Sequence, residues 1–106
     1  GSYEEGAIGF KNLFYLMFSL YNLRGDERLL NLANTDAYNV ACGYSLMKKI
    51  DEALDWFEIS MALGFGNDRC QCHGDNFKHA DEDTDLDNIR NEPRFKQIME
   101  KYRMGD

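Results

Sequence analysis

Two cysteines and two histidines lie close together in the second half of the sequence and are the side chains best suited to hold a metal ion. The cluster is Cys70-Gln71-Cys72-His73, followed by His79. Two thiolates and an imidazole are ligands that zinc prefers, and His79 or an aspartate would have to supply the fourth. However, one residue separates the cysteines, whereas structural zinc sites usually separate them by about two to four residues and add a second pair. We therefore predict no bound metal and no cofactor, and a loop that contains these residues without using them as ligands.

The remaining chemical candidates are an acidic run and a lone cysteine. Residues 81–87 include five acids but lack the central glycine and the closing glutamate of a calcium-binding loop. Cys42 has no histidine or acid one helical turn away that would make it part of a nucleophile–base pair. The sequence also contains no phosphate-cradling glycine loop and no paired acid and base. We therefore expect no enzymatic activity.

The composition indicates an all-α chain that binds protein. Of 106 residues, 43% are hydrophobic and one is proline, and β-branched residues are few. The net charge of −7 offers no positive patch for phosphate groups, so nucleic acid and anionic membrane surfaces are poor partners. No apolar run reaches the ~18 residues of a membrane-spanning helix. Three cysteines do not form a disulfide scaffold, which favours a reducing intracellular compartment, the cytoplasm or an organelle interior.

Apolar periodicity predicts a series of helices within a single domain that covers residues 1–106. An N-terminal extension, residues 3–34, begins with a long helix over residues 3–23. Gly25 is the usual residue after a helix end, and the aspartate that follows it is suited to cap a short helix over residues 27–33.

The rest of the chain divides into three predicted segments. Residues 35–66 form a helical hairpin whose first helix is capped by Asn34 or Thr35. Residues 67–84 show no helical period and are predicted to be an irregular insert. Residues 85–103 hold a short capping helix, and one face of this helix carries Phe95, Ile98, Met99 and Tyr102.

The apolar surface of the N-terminal helix is wider than one neighbouring hairpin can cover. Its surplus side chains include Leu16, Leu20 and Leu23. In one arrangement this helix is a core helix, wedged between the hairpin and the C-terminal helix. In the other, it is shared with a second chain or with a neighbouring repeat. The second arrangement predicts a homodimer, or partner binding, through these three leucines.

The hairpin over residues 35–66 resembles a tetratricopeptide repeat, a unit of about 34 residues. Its packing residues fall at the spacings that the family uses, namely Ala41, Tyr44, Ala53, Phe57 and Ser60. Residues 85–102 are similar to the closing segment that often follows the last repeat. The sequence departs from the pattern at Lys48, where the family commonly has glycine, at Ala37, where it often has tryptophan, and at Phe65, where it often has proline.

The resemblance implies a protein-interaction module, such as a scaffold or assembly factor, that binds a peptide or helix in a concave groove. In this family the first helix of each repeat lines the groove. Carried onto this chain, the lining residues are Thr35, Tyr38, Asn39, Cys42, Ser45 and Leu46.

Two other functions stay open at the level of sequence. One is a self-associating structural domain that dimerises through the N-terminal helix. The other, which the cysteine spacing disfavours, is a metal- or redox-responsive regulator that works through Cys70, Cys72 and His73.

Overall fold

The computed structural model describes residues 2–67 and 76–103, and within them all regular secondary structure is helical. Single 3₁₀ turns lie at Phe65–Asn67 and Thr84–Leu86. None of the described helices has the length and apolarity needed to cross a membrane. The predicted all-α fold class is confirmed. The α-helices are α1 (Ser2–Arg24), α2 (Glu27–Leu46), α3 (Ile50–Ala62), α4 (Asn76–Glu82), α5 (Asp87–Arg90) and α6 (Pro93–Arg103).

Helices α1 and α2 form an antiparallel pair joined by a tight turn. Gly25 adopts φ 66° directly after α1, as its position in the sequence predicted. The side chain of Asp26 then caps α2 by accepting the backbone N–H of Arg28 at 3.0 Å. At the other end of the pair the two backbones approach closely. A Cβ atom added to Gly43 would lie only 3.2 Å from the Cβ atom of Ala7. Small side chains therefore set the distance between these two helices.

Helix α2 runs without a break through the two residues that were predicted to cap a separate helix. The hydroxyl of Thr35 donates to the carbonyl of Asn31 at 3.0 Å, which satisfies it inside the helix. Asn34 is fully buried, and its Nδ2 donates to the carbonyl of Leu63 at 3.2 Å. Asn34 thus caps the C-terminal end of α3 rather than the start of a helix. The prediction of a separate helix over residues 27–33 is wrong.

The turn between α2 and α3 places a lysine in the left-handed backbone conformation. Lys48 has φ 61°, and its N–H donates to the carbonyl of Ser45 at 2.9 Å. The N–H of Lys49 donates to the carbonyl of Tyr44 at 2.9 Å, which completes a Schellman motif. The sequence comparison with the repeat pattern expected glycine at position 48, and the backbone conformation explains why glycine suits it.

Two apolar clusters hold the helices together. The larger one joins α2, α3 and α6, where Phe57 stacks on Phe95 with ring centroids 4.6 Å apart. The smaller one joins α1 to α2 and α3, where Phe14 meets Trp56 edge to face at 5.1 Å. Among the described residues, none from α1 belongs to the larger cluster, so the wedged arrangement of the N-terminal helix is wrong. The predicted inner face of α6 is confirmed, since the larger cluster contains Phe95, Ile98 and Met99 and packs against Tyr102.

Helix α4 lies inside the segment that was predicted to be irregular. The Nδ2 atom of Asn76 donates to the carbonyl of Phe65 at 2.7 Å. The ring of Phe77 lies over Gly66, so closely that a Cβ at position 66 would collide with it. These contacts fix a helix of seven residues, which is too short to show a clear apolar period. The prediction of irregular structure is therefore wrong for residues 76–82.

Candidate functional site

The chain's own C-terminal half covers the face of α2 that was predicted to line a groove. Tyr38, Cys42 and Ser45 are 4%, 7% and 0% exposed. Residues 83–89 pack over them, and the Nδ2 atom of Asn88 donates to the carbonyl of Ser45 at 2.8 Å. Tyr38 and Ser45 therefore do not line an open groove, which corrects the expectation drawn from the repeat pattern.

A small pocket beside the start of α1 is what remains of the predicted groove. Three of the predicted residues, Asn39, Cys42 and Leu46, line it together with Gly6 and Phe10 of α1, and its volume is about 190 Å³. Ligand pockets usually measure about 300–1,000 Å³, so this one suits a single side chain. Thr35 is turned away into its own helix, as its hydrogen bond shows. The six predicted groove residues therefore do not form one site.

Asp83 is the centre of a polar cluster that fastens the C-terminal segment to α2. Its Oδ2 atom accepts the hydroxyl of Tyr38 at 2.7 Å and lies 3.9 Å from the Sγ atom of Cys42. The same oxygen lies 3.5 Å from Nε2 of His79, and Oδ1 accepts the N–H of Asp85 at 3.0 Å. The side chain of Asp83 is only 15% exposed. One carboxyl group thus connects α2, α4 and the turn after α4.

The polar cluster keeps its thiol protonated. Burial raises the pKa of Cys42 well above its ordinary value, and the charges of Asp83 and Asp85 raise this pKa further. Burial likewise raises the pKa of Tyr38. A thiol of this kind is a poor nucleophile at neutral pH. Nothing in the sequence indicated that Asp83 and Asp85 would lie beside Cys42. They are more than 40 residues from it along the chain, and only the fold brings them together.

Within the described residues, three side chains are placed so that they could share a metal ion. The ligand atoms of Cys42, Asp83 and Asp85 lie within 4.8 Å of one another. Asp83 already accepts a hydrogen bond from the Tyr38 hydroxyl, so we interpret its role as structural. Of the candidates taken from the sequence, His79 joins this polar cluster and its ring lies 5.8 Å from that of Tyr38. The other three lie outside the described residues, namely Cys70, Cys72 and His73.

Most of the large hydrophobic side chains that face solvent are on α1. Eight such side chains are exposed among the described residues, and seven of them belong to α1. Leu16 and Leu23 are 52% and 81% exposed, and Leu20 is partly buried. The sequence predicted that large side chains of this helix would stay uncovered, and the exposure of Leu16 and Leu23 fits it. Association through them remains a prediction.

Three exposed leucines of α1 and the partly buried Leu20 form a regular row, which we call the leucine seam. Its members alternate in steps of three and four residues, the spacing with which one helix packs along another. The opposite side of α1, including Phe14 and Phe18, packs against α2 and α3. Leu13 was missing from the predicted set, although its spacing is readable in the sequence. The seam consists of Leu13, Leu16, Leu20 and Leu23, and two glycines, Gly6 and Gly9, continue it towards the start of the helix.

The leucine seam lies on an uncharged strip of an acidic chain. Between Gly6 and Leu23 the only charged residue is Lys11. Its Nζ atom is hydrogen-bonded to the hydroxyl of Tyr44 and lies 5.8 Å from the ring of Trp56, so it points towards α2 and α3. An apolar partner can therefore cover this strip without removing a charged side chain from water.

No protein-family model, curated protein or solved structure matches this chain.

Proposed function

We propose that this chain is a protein-interaction module, built on a repeat-like helical hairpin, that binds an α-helix of a partner protein along the leucine seam. The observation that carries the proposal is the seam itself, a row of three exposed leucines and one partly buried leucine on a helix of 23 residues, about 34 Å long. Contiguous apolar surface of this kind on a water-facing helix marks an interaction site.

The spacing of the seam favours a helix as the partner. Apolar residues every 3.5 positions on average form a straight row along a helix, and a second helix inserts its own side chains between them. An extended peptide would need pockets at alternate residues, which a row of this kind does not provide. The partner segment should therefore be amphipathic, with apolar residues in alternating steps of three and four.

The energies are consistent with moderate affinity. Full burial of a leucine contributes about 1.5–3 kcal/mol, and half-exposed side chains about half as much. The four leucines of the seam then supply several kcal/mol, before the partner's own apolar surface is added. Association costs on the order of 4–15 kcal/mol in lost freedom, which offsets much of this gain, so binding no tighter than micromolar is expected.

Burial within α2 and α3 supports the repeat-like plan of the module. Ala41 and Ala53 are fully buried, as small residues at a close helix crossing should be, and Phe57 is buried beside them. The usual concave surface is covered by residues 83–89, so we place binding on α1 rather than on α2.

A selection with a library of helical peptides tests this proposal. Peptides are selected on the parent chain alone, and their affinity is then measured for the parent chain and for the variant Leu16→Glu, Leu20→Glu. Leu32→Glu is the matched control, since Leu32 is 53% exposed but belongs to α2. We expect amphipathic peptides whose affinity falls at least tenfold in the seam variant and is unchanged in the control. Peptides that bind the seam variant as tightly as the parent chain would refute the proposal.

A further inference from the structure

We infer that the helix that fits the leucine seam best is the seam of a second copy of this chain, docked antiparallel about a two-fold axis. This inference rests on the proposed function, since it names the partner of the same surface. An interface between two identical copies must be complementary to itself. The residues of the seam meet this condition in one register, as their positions show.

The antiparallel register pairs every member of the seam with another member. We place the two-fold axis midway between Leu13 and Leu16, with the two copies of α1 running in opposite directions. Each seam residue of one copy then lies opposite a seam residue of the other. No layer is left with a polar or charged residue. The layers are Leu13 with Leu16, Gly9 with Leu20, and Gly6 with Leu23, each formed twice by symmetry.

The sizes of the paired side chains are complementary. Leu23 is the most exposed of the large hydrophobic side chains among the described residues, at 81%, and it lies at one end of the seam. Gly6 and Gly9, at the other end, have no atom within 4 Å of where a Cβ would stand. In the antiparallel pair the protruding leucine of one copy therefore fills the hollow above the glycines of the other. A parallel pair would place glycine on glycine and leave that hollow empty, which loses packing energy.

The charges around the seam also favour two antiparallel copies. The residues that flank its central part are uncharged, for example Asn12, Met17 and Ser19, so two acidic chains can meet here with little repulsion. Antiparallel helices oppose their dipoles favourably. In this register the first turn of one α1, which contains Glu5, lies at the level of Arg24 of the second copy.

Sedimentation equilibrium of the intact chain tests whether the copies associate. We expect a monomer–dimer equilibrium with a dissociation constant of roughly 1–100 µM. Leu16→Glu with Leu20→Glu should weaken it at least tenfold, while the control Leu32→Glu leaves it unchanged. Circular dichroism of each variant separates loss of association from loss of folding. A parent chain that stays monomeric at roughly 1 mM would overturn the inference.

Disulfide trapping tests the register. In a background of Cys70→Ser and Cys72→Ser, a Gly6→Cys chain mixed with a Leu23→Cys chain should form a mixed dimer under mild oxidation. Leu23→Cys alone should not link to itself, because the antiparallel register separates the two copies of position 23 by about 25 Å. Efficient self-linking of Leu23→Cys would contradict the antiparallel pair.

The two proposals fail in different ways. If the parent chain is monomeric but seam-dependent binding of helical peptides persists, then the partner is a foreign helix or a neighbouring repeat, and only the inference of a second copy is lost. If neither association nor peptide binding depends on the seam, the proposed function is lost as well.

Discussion

The hydroxyl of Tyr38 donates a 2.7 Å hydrogen bond to Oδ2 of Asp83, a residue 45 positions further along the chain. This bond joins the middle of α2 to the turn after α4. It lies at the centre of the contact that covers the expected binding face of the hairpin. The predicted binding face of α2 is therefore largely covered, whereas α1 carries most of the exposed large hydrophobic side chains among the described residues.

We expect Asp83→Ala to destabilise the fold by about 1–3 kcal/mol, because it leaves the buried hydroxyl of Tyr38 without an acceptor. Urea denaturation measures the loss. A double-mutant cycle with Tyr38→Phe should give a coupling energy of about 1 kcal/mol. Asp51→Ala, which removes an exposed acid of α3, is the control. If the two substitutions at 38 and 83 prove additive, the hydrogen bond is not what fastens the segment.

Replacing Lys48 by glycine should stabilise the chain by about 0.5–1 kcal/mol. The backbone at this position has φ 61°, which costs an L-residue about 1–2 kcal/mol, and the greater freedom of glycine when unfolded offsets part of the gain. Lys49→Gly is the matched control, since Lys49 has φ −89° and should lose stability. Thermal unfolding distinguishes the two. An equal loss at both positions would show that position 48 carries no strain.

Protonation of Asp36 should make the stability of the chain depend on pH. Burial raises the pKa of Asp36 to about 6 in the folded chain, above about 3.9 in the unfolded one. The folded state therefore binds the proton more tightly, and stability from this group is present below pH 4 and lost as the pH rises through 6.

Asp36→Asn removes the stability loss that accompanies ionisation of the Asp36 carboxyl group. We expect a gain of roughly 1 kcal/mol at pH 7.5, reduced by solvent screening because the side chain is only partly buried, and no gain near pH 4. Asp51→Asn changes the net charge equally but should bring no such gain. A gain of the same size for both variants would assign the effect to net charge.

The sequence was sufficient to predict features that depend on neighbouring residues. Gly25, at φ 66°, follows its helix as expected, and Asp26 caps α2. The inner face of α6 was also readable, because its apolar period is regular. Local rules of this kind need no knowledge of the tertiary fold.

Features that depend on distant contacts were not readable. Asn34 has the chemistry of an N-cap, but the fold buries it so that it caps the far end of α3. The covered groove has the same origin, since Tyr38 finds its acceptor only after the C-terminal segment has folded back. The exposed seam was partly predicted from Leu16, Leu20 and Leu23, because the width of an apolar arc is a property of one helix.

Backbone amide NMR of the ¹⁵N-labelled chain tests most directly whether partners bind along the leucine seam, as we propose. Spectra are recorded as the chain is concentrated and as a selected helical peptide is added. We expect the amides whose chemical shifts change to cluster in residues 5–24. Leu16→Glu with Leu20→Glu should abolish these shift changes. Shifts that centre on Asn39 and Leu46 in α2, with those of α1 unmoved, would contradict it.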